Sequence, residues 1–173
     1  VVYPLAVTGI AQLLFPFQAN GSLIADGCAP VGMVGSMLVG QPFDDPRYFW
    51  GRPSATAPFP DNAMASGGSN LGPTNPALVD AVRARVGALR TADPGNTLPI
   101  PADLVTTSGS GLDPDISVAA ADNQVARVAG ARGLGQGAVR QLVLKAMTAR
   151  SLELLGEYRV NVLALNLALD RLR

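Results

Sequence analysis

The stretch from Asp103 to Gly133, DLVTTSGSGLDPDISVAAADNQVARVAGARG, contains the signals that set the fold class of this chain. It begins with a short apolar run, predicted as a strand over 103–107, and continues through a turn rich in Gly and Ser. Ser117 is typical of a helix N-cap, because its hydroxyl can accept a hydrogen bond from the first turn. Gly133 is typical of a C-terminal cap. The stretch therefore predicts a strand, a turn and a helix that extends to Arg132.

Three more helices are predicted on either side of this stretch. Asn75 followed by Pro76 is a start signal for an amphipathic helix over about 76–90, since Asn caps and Pro suits the first helical position. Apolar residues at helical spacing predict another helix over 136–149. Asn161 is predicted to cap the last helix, although that segment also alternates in the manner of a strand.

The first half of the chain is rich in Gly and Pro. Residues 31–40 form an apolar run bounded by Gly and Pro, which predicts one or two strands. Residues 48–50, with the chain's single Trp, predict another strand. The segment 52–76 is interpreted as a long ordered loop, and loops of that length are often functional. We predict an α+β fold with a small mixed sheet from the first half and helices from the second.

The N-terminal residues 1–15, VVYPLAVTGIAQLLF, carry no charged side chain. This segment is shorter than the roughly 20 apolar residues that span a bilayer, and it lacks the basic region of a signal peptide. Tyr3 and Phe15 are aromatic residues of the kind found at membrane interfaces. Three interpretations stay open: a buried core helix, an interfacial helix, or the outer end of a transmembrane helix.

Composition excludes several classes of function. The net charge is zero, so the chain has no general attraction for nucleic acid. There is no His among the 173 residues, which excludes a Ser-His-Asp triad, a Cys-His dyad and a His metal ligand. The only Cys, Cys28, cannot form an intrachain disulfide or a zinc cluster. We interpret it as a loop thiol without a role.

The densest polar motif contains Ser108, Gly109, Ser110 and Gly111. Small residues of this kind can present backbone amides to an anion. The motif lacks the Lys and the spacing of a P-loop, so it does not establish a nucleotide site. An ordinary turn before a capped helix is the favoured interpretation.

Two other polar arrangements are considered. Asp113 and Asp115 are close enough in sequence to bind a cation or to share acid and base roles, but an Asp before Pro is more typical of a turn. A Ser in the Gly/Ser-rich stretch 65–73 would need Lys145, the only Lys, as its base. The residues alone therefore describe an α+β domain without evident catalytic machinery, preceded by an apolar segment.

Eight runs, in order along nearly the whole chain, resemble the C-subunit family of the bacterial Kdp-type potassium-pumping P-type ATPase. The runs are YPLAVTGIAQLLFP (3–16), QANGSLI (18–24), GSMLVGQ (35–41), YFWGRPSAT (48–56), ASGGSNLGPTNP (65–76), DLVTTSGSGLD (103–113), QVARVAGARGL (124–134) and RVNVLALNLALD (159–170). Each run alone is weak evidence for this family, and the eight runs together are specific for it. The chain departs from many relatives, which carry His where it has Asp115 and Pro where it has Val118.

The resemblance implies a non-catalytic accessory subunit that raises the ATP affinity of the pump, a role described as a catalytic chaperone. The implied partners are a channel-like potassium-translocating subunit, a catalytic P-type subunit and a small membrane subunit. Residues 1–15 would be the C-terminal part of a single transmembrane helix, with its start before residue 1. Residues 16–173 would form a globular domain on the extracytoplasmic face of the bacterial cytoplasmic membrane.

The resemblance also implies that the Ser/Gly motif at 108–111 is related to nucleotide binding. It implies no tightly bound cofactor, and ATP would be bound only as part of the complex. Direct contact is hard to reconcile with a cytoplasmic ATP site on the opposite side of the bilayer. An indirect effect through conformational equilibrium is easier to defend, with loops 52–76 and 106–112 docking over the outer potassium entrance. The alternatives are an extracytoplasmic Ser–Lys hydrolase and a stand-alone nucleotide-binding module.

Overall fold

A computed structural model describes residues 1–25 and 32–172, and in these ranges the chain is a mixed α+β fold. The helices are α1 (Val2–Leu14), α2 (Pro16–Ala19), α3 (Pro76–Ala92), α4 (Val118–Arg132), α5 (Gln136–Ala146) and α6 (Val162–Asp170), and a 3-10 turn spans Ala102–Leu104. The strands are β1 (Leu23–Ala25), β2 (Met33–Ser36), β3 (Asp115–Ser117), β4 (Met147–Thr148) and β5 (Arg159–Asn161). The α+β class is confirmed, while Cys28 lies outside the described residues.

The prediction of a sheet from the first half is confirmed in part. β2 lies within residues 31–40 and pairs with β1, but the three-stranded main sheet lies in the second half of the chain. It is antiparallel in the order β3-β5-β4, with Ile116 opposite Val160 and Met147 also opposite Val160. In the described part of the first half, β1 and β2 form a two-stranded antiparallel sheet. The strands of the main sheet have two or three residues, too few for period-2 alternation to appear in the sequence. This explains why the main sheet was not predicted.

The helix caps in the second half match the sequence prediction. The Ser117 hydroxyl accepts a hydrogen bond from the Ala120 amide at 3.0 Å, and Gly133 ends α4 in the left-handed conformation. The Asn161 side chain accepts from the Ala164 amide at 3.0 Å, so α6 begins where the cap predicted. These residues satisfy backbone groups that a helix end leaves without partners.

The apolar core lies between the sheet and helices α4, α5 and α6. α5 packs against both α4 and α6. The most deeply buried apolar side chains are those of Phe49, Ile116, Val125, Val128, Val139, Val143, Val160, Leu165 and Leu169. Among the described residues of the first half, Phe49 is the one that belongs to this set. The core is therefore built mainly by the helical spacing of the second half, as the sequence indicates.

Residues 48–50 are not a strand, contrary to prediction. The backbone groups of Phe49 and Trp50 bond to side chains and not to a neighbouring strand. The Asn166 amide accepts from the Phe49 N–H at 2.9 Å and donates to the Phe49 carbonyl at 3.0 Å. The Gln124 amide does the same for Trp50, at 2.8 and 3.1 Å. Two buried primary amides thus replace the backbone of a partner strand.

Two other predicted elements differ from the structure. The segment 103–107 is not a strand, because the Thr106 amide and hydroxyl both bond to the Ala102 carbonyl, at 2.8 and 2.7 Å, and close a turn. The helix predicted over 136–149 ends at Ala146, since Met147 and Thr148 pair with β5. A local turn decides the first case, and strand pairing with β5 decides the second.

The N-terminal helix α1 packs on little else, because most of its side chains, including Leu5, Ile10 and Leu13, are exposed. The buried-core interpretation of residues 1–15 is therefore wrong. Among the residues that the structure describes, no helix combines the length and the apolar content needed to cross a bilayer.

Candidate functional site

The Ser/Gly motif packs against the long loop of the first half. We call this contact the polar seam, defined as residues 51–70 together with residues 107–113. The buried Ser108 donates its amide to the Pro53 carbonyl at 3.1 Å. The Ser110 carbonyl accepts from the Gly67 amide at 2.8 Å and from the Ser66 hydroxyl at 2.9 Å. Loop 52–76 is therefore ordered along the seam, as predicted.

The Ser54 hydroxyl makes several of the hydrogen bonds within the polar seam. It donates to the Gly111 carbonyl at 2.7 Å and accepts from the amides of Thr56 and Asp61, at 3.2 and 3.0 Å. The Ser69 and Thr107 hydroxyls add a further bond at 3.0 Å across the two segments. These serines are thus engaged with backbone and hydroxyl groups within the seam.

Gly111 is required at its position by conformation and by space. Its φ is +68°, and a Cβ there would lie 2.5 Å from the Thr56 methyl and 2.6 Å from the Gly67 carbonyl oxygen. Any side chain would push the two segments apart. Ser110 and Gly109, in contrast, are exposed at the surface of the seam.

An ion pair joins the ends of the seam. Arg52 pairs with Asp113 at 3.0 Å between Nη1 and Oδ2 and also donates to the Thr107 carbonyl at 3.4 Å. Asp113 in turn accepts from the Asp115 amide at 3.1 Å through Oδ1, so it forms the turn that the sequence predicted. The sequence did not identify Arg52, because its partner lies 61 residues away.

Asp115 is paired on the other side of the turn. Its carboxylate accepts from Arg159 Nε at 2.8 Å and from the Asn161 amide at 3.2 Å. Burial nevertheless raises the pKa of the Asp115 carboxyl, because the loss of hydration outweighs the Asn161 and Arg159 contacts. Both candidate cation ligands, Asp113 and Asp115, are thus already committed to basic side chains.

Two pockets flank the seam. One has a volume of about 410 Å³ and mainly apolar walls, including Phe43, Trp50 and Leu89, with Arg52 and Asp61 at its polar part. The other, of about 270 Å³, is lined by residues 68–71 and 106–109 together with Leu78. The two pockets make the surface beside the seam concave.

The structure brings no nucleophile and base together in the part of the chain that it describes. Lys145 is exposed on α5, and no serine within residues 1–25 and 32–172 bonds to it. The hydrolase alternative therefore gains no geometric support. The link between Ser108–Gly111 and nucleotide stays a prediction.

A family model described as K+-transporting ATPase, c chain, matches residues 1–171. The chain belongs to this KdpC family. The match extends from α1 through the polar seam to α6, so every feature described above lies within it. The resemblance read from the eight sequence runs is confirmed, and the chain is a subunit of a potassium-transporting ATPase.

Curated relatives of the KdpC family are similar to this chain over almost all of its length. A potassium-transporting ATPase KdpC subunit of Polaromonas naphthalenivorans is 65% identical over 173 residues, covering 100% of this chain and 87% of the relative. That of Methylococcus capsulatus is 64% identical over 174 residues, covering 100% and 90%. That of Methylibium petroleiphilum is 63% identical over 170 residues, covering 98% and 87%.

Proposed function

We propose that the chain is a non-catalytic accessory subunit that docks on the pump and supports its assembly. In this proposal, residues 1–15 are part of a single membrane helix and residues 16–173 form an extracytoplasmic domain. The domain contacts the channel-like potassium-translocating subunit, the catalytic P-type subunit and the small membrane subunit. The match of residues 1–171 to the KdpC family carries this proposal.

The exposed apolar surface of α1 supports the membrane part of the proposal. Thirteen residues without charge form a helix, and none of them is buried against the rest of the chain. Exposed apolar side chains in such number are stabilised when a bilayer or a partner covers them. The interfacial and transmembrane interpretations of α1 both satisfy this requirement.

The polar seam is the proposed docking surface toward the outer potassium entrance. Its two segments are fixed by hydrogen bonds, so little conformational entropy would be lost when a partner binds. The side chains that it exposes, such as Phe59 and Met64, are uncharged. An effect on ATP affinity would then be indirect, because a subunit that binds one state of the pump more tightly shifts the population of that state.

The test is potassium-stimulated ATPase activity of the pump without its own C subunit, measured with and without the full-length chain. We expect the chain to restore activity and to lower the apparent KM for ATP. Restored activity in proportion to assembled complex, at unchanged KM, would limit the role to assembly. No effect in a matched species background would contradict the proposal.

The docking surface has its own test. Met64→Glu places a charge on the seam loop at a side chain that is 96% exposed, so folding should be unaffected. We expect weaker co-purification with the other subunits. The matched control is Leu98→Glu, at an exposed apolar side chain outside both docking loops. Equal co-purification of the two variants would exclude this part of the seam as a contact.

A further inference from the structure

The loop between β4 and β5 places three leucines in solvent. The side chains of Leu152, Leu154 and Leu155 are 85, 81 and 65% exposed. A single exposed leucine is ordinary, but three within four residues form an exposed apolar cluster, and exposed apolar patches mark contact sites. We call residues 151–155 the leucine knob. It is separate in sequence from the polar seam.

The leucine knob is a defined turn. The Ser151 amide bonds to the Leu155 carbonyl and the Leu155 amide bonds to the Ser151 carbonyl, both at 2.9 Å. Leu152 and Glu153 have φ values of 54° and 60°, in the left-handed region that non-glycine residues rarely occupy. The turn therefore keeps its leucines outward at a conformational cost, and such costs cluster at functional sites.

The arginines that flank the knob are already paired. Arg150 lies 2.6 Å from the Glu157 carboxylate and stacks 5.8 Å from the Tyr158 ring centre. Arg159 is paired with Asp115 at 2.8 Å. Glu153, among the leucines, makes no ion pair within residues 1–25 and 32–172. The knob thus offers apolar side chains together with one unpaired negative charge.

The Glu153 carboxylate distinguishes among the surfaces that could cover the leucine knob. Insertion into lipid would carry the Glu153 carboxylate into apolar surroundings, where an unpaired charge is costly. A second copy related by a two-fold axis through the knob would place Glu153 near its own equivalent. The neighbouring Arg150 and Arg159 are already paired and would not neutralise the two charges. A protein surface with an apolar pocket and a basic side chain would bury the leucines and pair with the Glu153 carboxylate.

We propose that the leucine knob docks into an apolar socket, with a Lys or Arg at its rim, on another subunit of the same pump. The inference rests on the proposed accessory function and adds to it a contact surface that lies outside loops 52–76 and 106–112. Leu154 is the central apolar anchor, and Glu153 pairs with the basic side chain of the socket. Buried apolar anchors with a paired charge are the usual carriers of binding energy at interfaces.

The experiment measures the affinity of the full-length chain for the pump reconstituted without its own C subunit. We expect Leu154→Ser to raise the Kd by about tenfold or more, as loss of a central anchor does, and Glu153→Lys to have an effect of the same size. The matched control Leu98→Ser removes an exposed leucine elsewhere and should stay within about twofold. Because these side chains are exposed, circular dichroism should show that all variants fold. Equal affinity of Leu154→Ser and wild type would overturn the inference.

A photo-crosslinker in place of Leu154 identifies what covers the knob. We expect an adduct with another subunit of the pump. An adduct with lipid, an adduct with a second copy of this chain, or no adduct in an assembled complex would each overturn the inference. If the wild-type chain itself neither binds nor restores ATPase activity, the proposed accessory function fails as well. If wild type binds and restores activity while Leu154→Ser matches it, only the knob is excluded.

Discussion

The two halves of this chain are stabilised by different kinds of contact. After residue 114, three helices and a small sheet bury apolar side chains such as Val128, Val143 and Leu165 against one another. Among the described residues before 100, the long helices are α1 and α3. The loops there are held through polar side chains that bond to backbone groups, as Asn166 does at Phe49.

The difference shows how a loop becomes ordered without regular structure. Gln124 and Asn166 each offer one acceptor and one donor to a single extended residue, as a neighbouring strand would. Arg127, buried beside Trp50 at 4.1 Å from its ring centre, donates to the Pro46 carbonyl at 2.6 Å. Burial lowers the pKa of Arg127 to about 10. The second half of the chain, whose core is apolar, therefore also supplies the polar side chains that hold the loops of the first half in place.

Among the changes that test how the two halves are held together, Asn166→Ala is expected to lower the free energy of unfolding most. The change leaves the Phe49 amide and carbonyl buried without partners, and each unsatisfied group costs about 1–3 kcal/mol. We expect the free energy of unfolding in urea to fall by about 2–4 kcal/mol. Gln141→Ala, at an exposed amide on α5, should change it by less than about 0.5 kcal/mol. Similar losses in both variants would show that the loop does not depend on Asn166.

A smaller loss is expected from Gly111→Ala in the polar seam. The left-handed backbone costs a residue with a Cβ about 1–2 kcal/mol, and the close approach of Thr56 adds to it. Gly109→Ala is the matched control, since its Cβ would meet nothing within 4 Å. We expect unfolding free energies that differ by about 2 kcal/mol between the two variants. Equal stability would mean that the seam segments separate easily.

The smallest change in stability is expected at Asp61, whose side chain is partly buried in the 410 Å³ pocket. Burial raises the pKa of the Asp61 carboxyl above its ordinary value. The folded state therefore holds this proton more tightly, and the resulting stability is present below the unfolded pKa of about 3.9 and lost as pH rises through the folded pKa. Asp61→Asn removes this dependence, and Asn tolerates the φ of 56°.

Urea unfolding of wild type and Asp61→Asn between pH 3 and pH 6 measures that difference. We expect the variant to gain stability relative to wild type as the pH rises. Asp44→Asn, at an exposed carboxylate that lines the same pocket, controls for the loss of one negative charge. A difference between wild type and Asp61→Asn that does not change with pH would contradict the burial argument.

The candidate site was only partly predictable from the sequence. The turn at Ser108–Gly111 and the ordered loop at 52–76 follow from local residue types, since Gly, Ser and Pro favour such conformations wherever they occur. Their association into one seam does not follow, because no local signal connects Arg52 to Asp113 or Ser54 to Gly111. The leucine knob was also missed, since three leucines within four residues resemble a buried segment.

The sequence by itself determined the family, the helix starts at Asn75, Ser117 and Asn161, and the apolar faces of the later helices. These features depend on residues within about one or two helical turns of each other. Only the tertiary structure decided that 48–50 is no strand, that the sheet forms from β3, β4 and β5, and which leucines remain exposed. Each of these outcomes depends on hydrogen bonds or burial between residues far apart in the chain, where local preferences are outweighed by the partners that folding brings near.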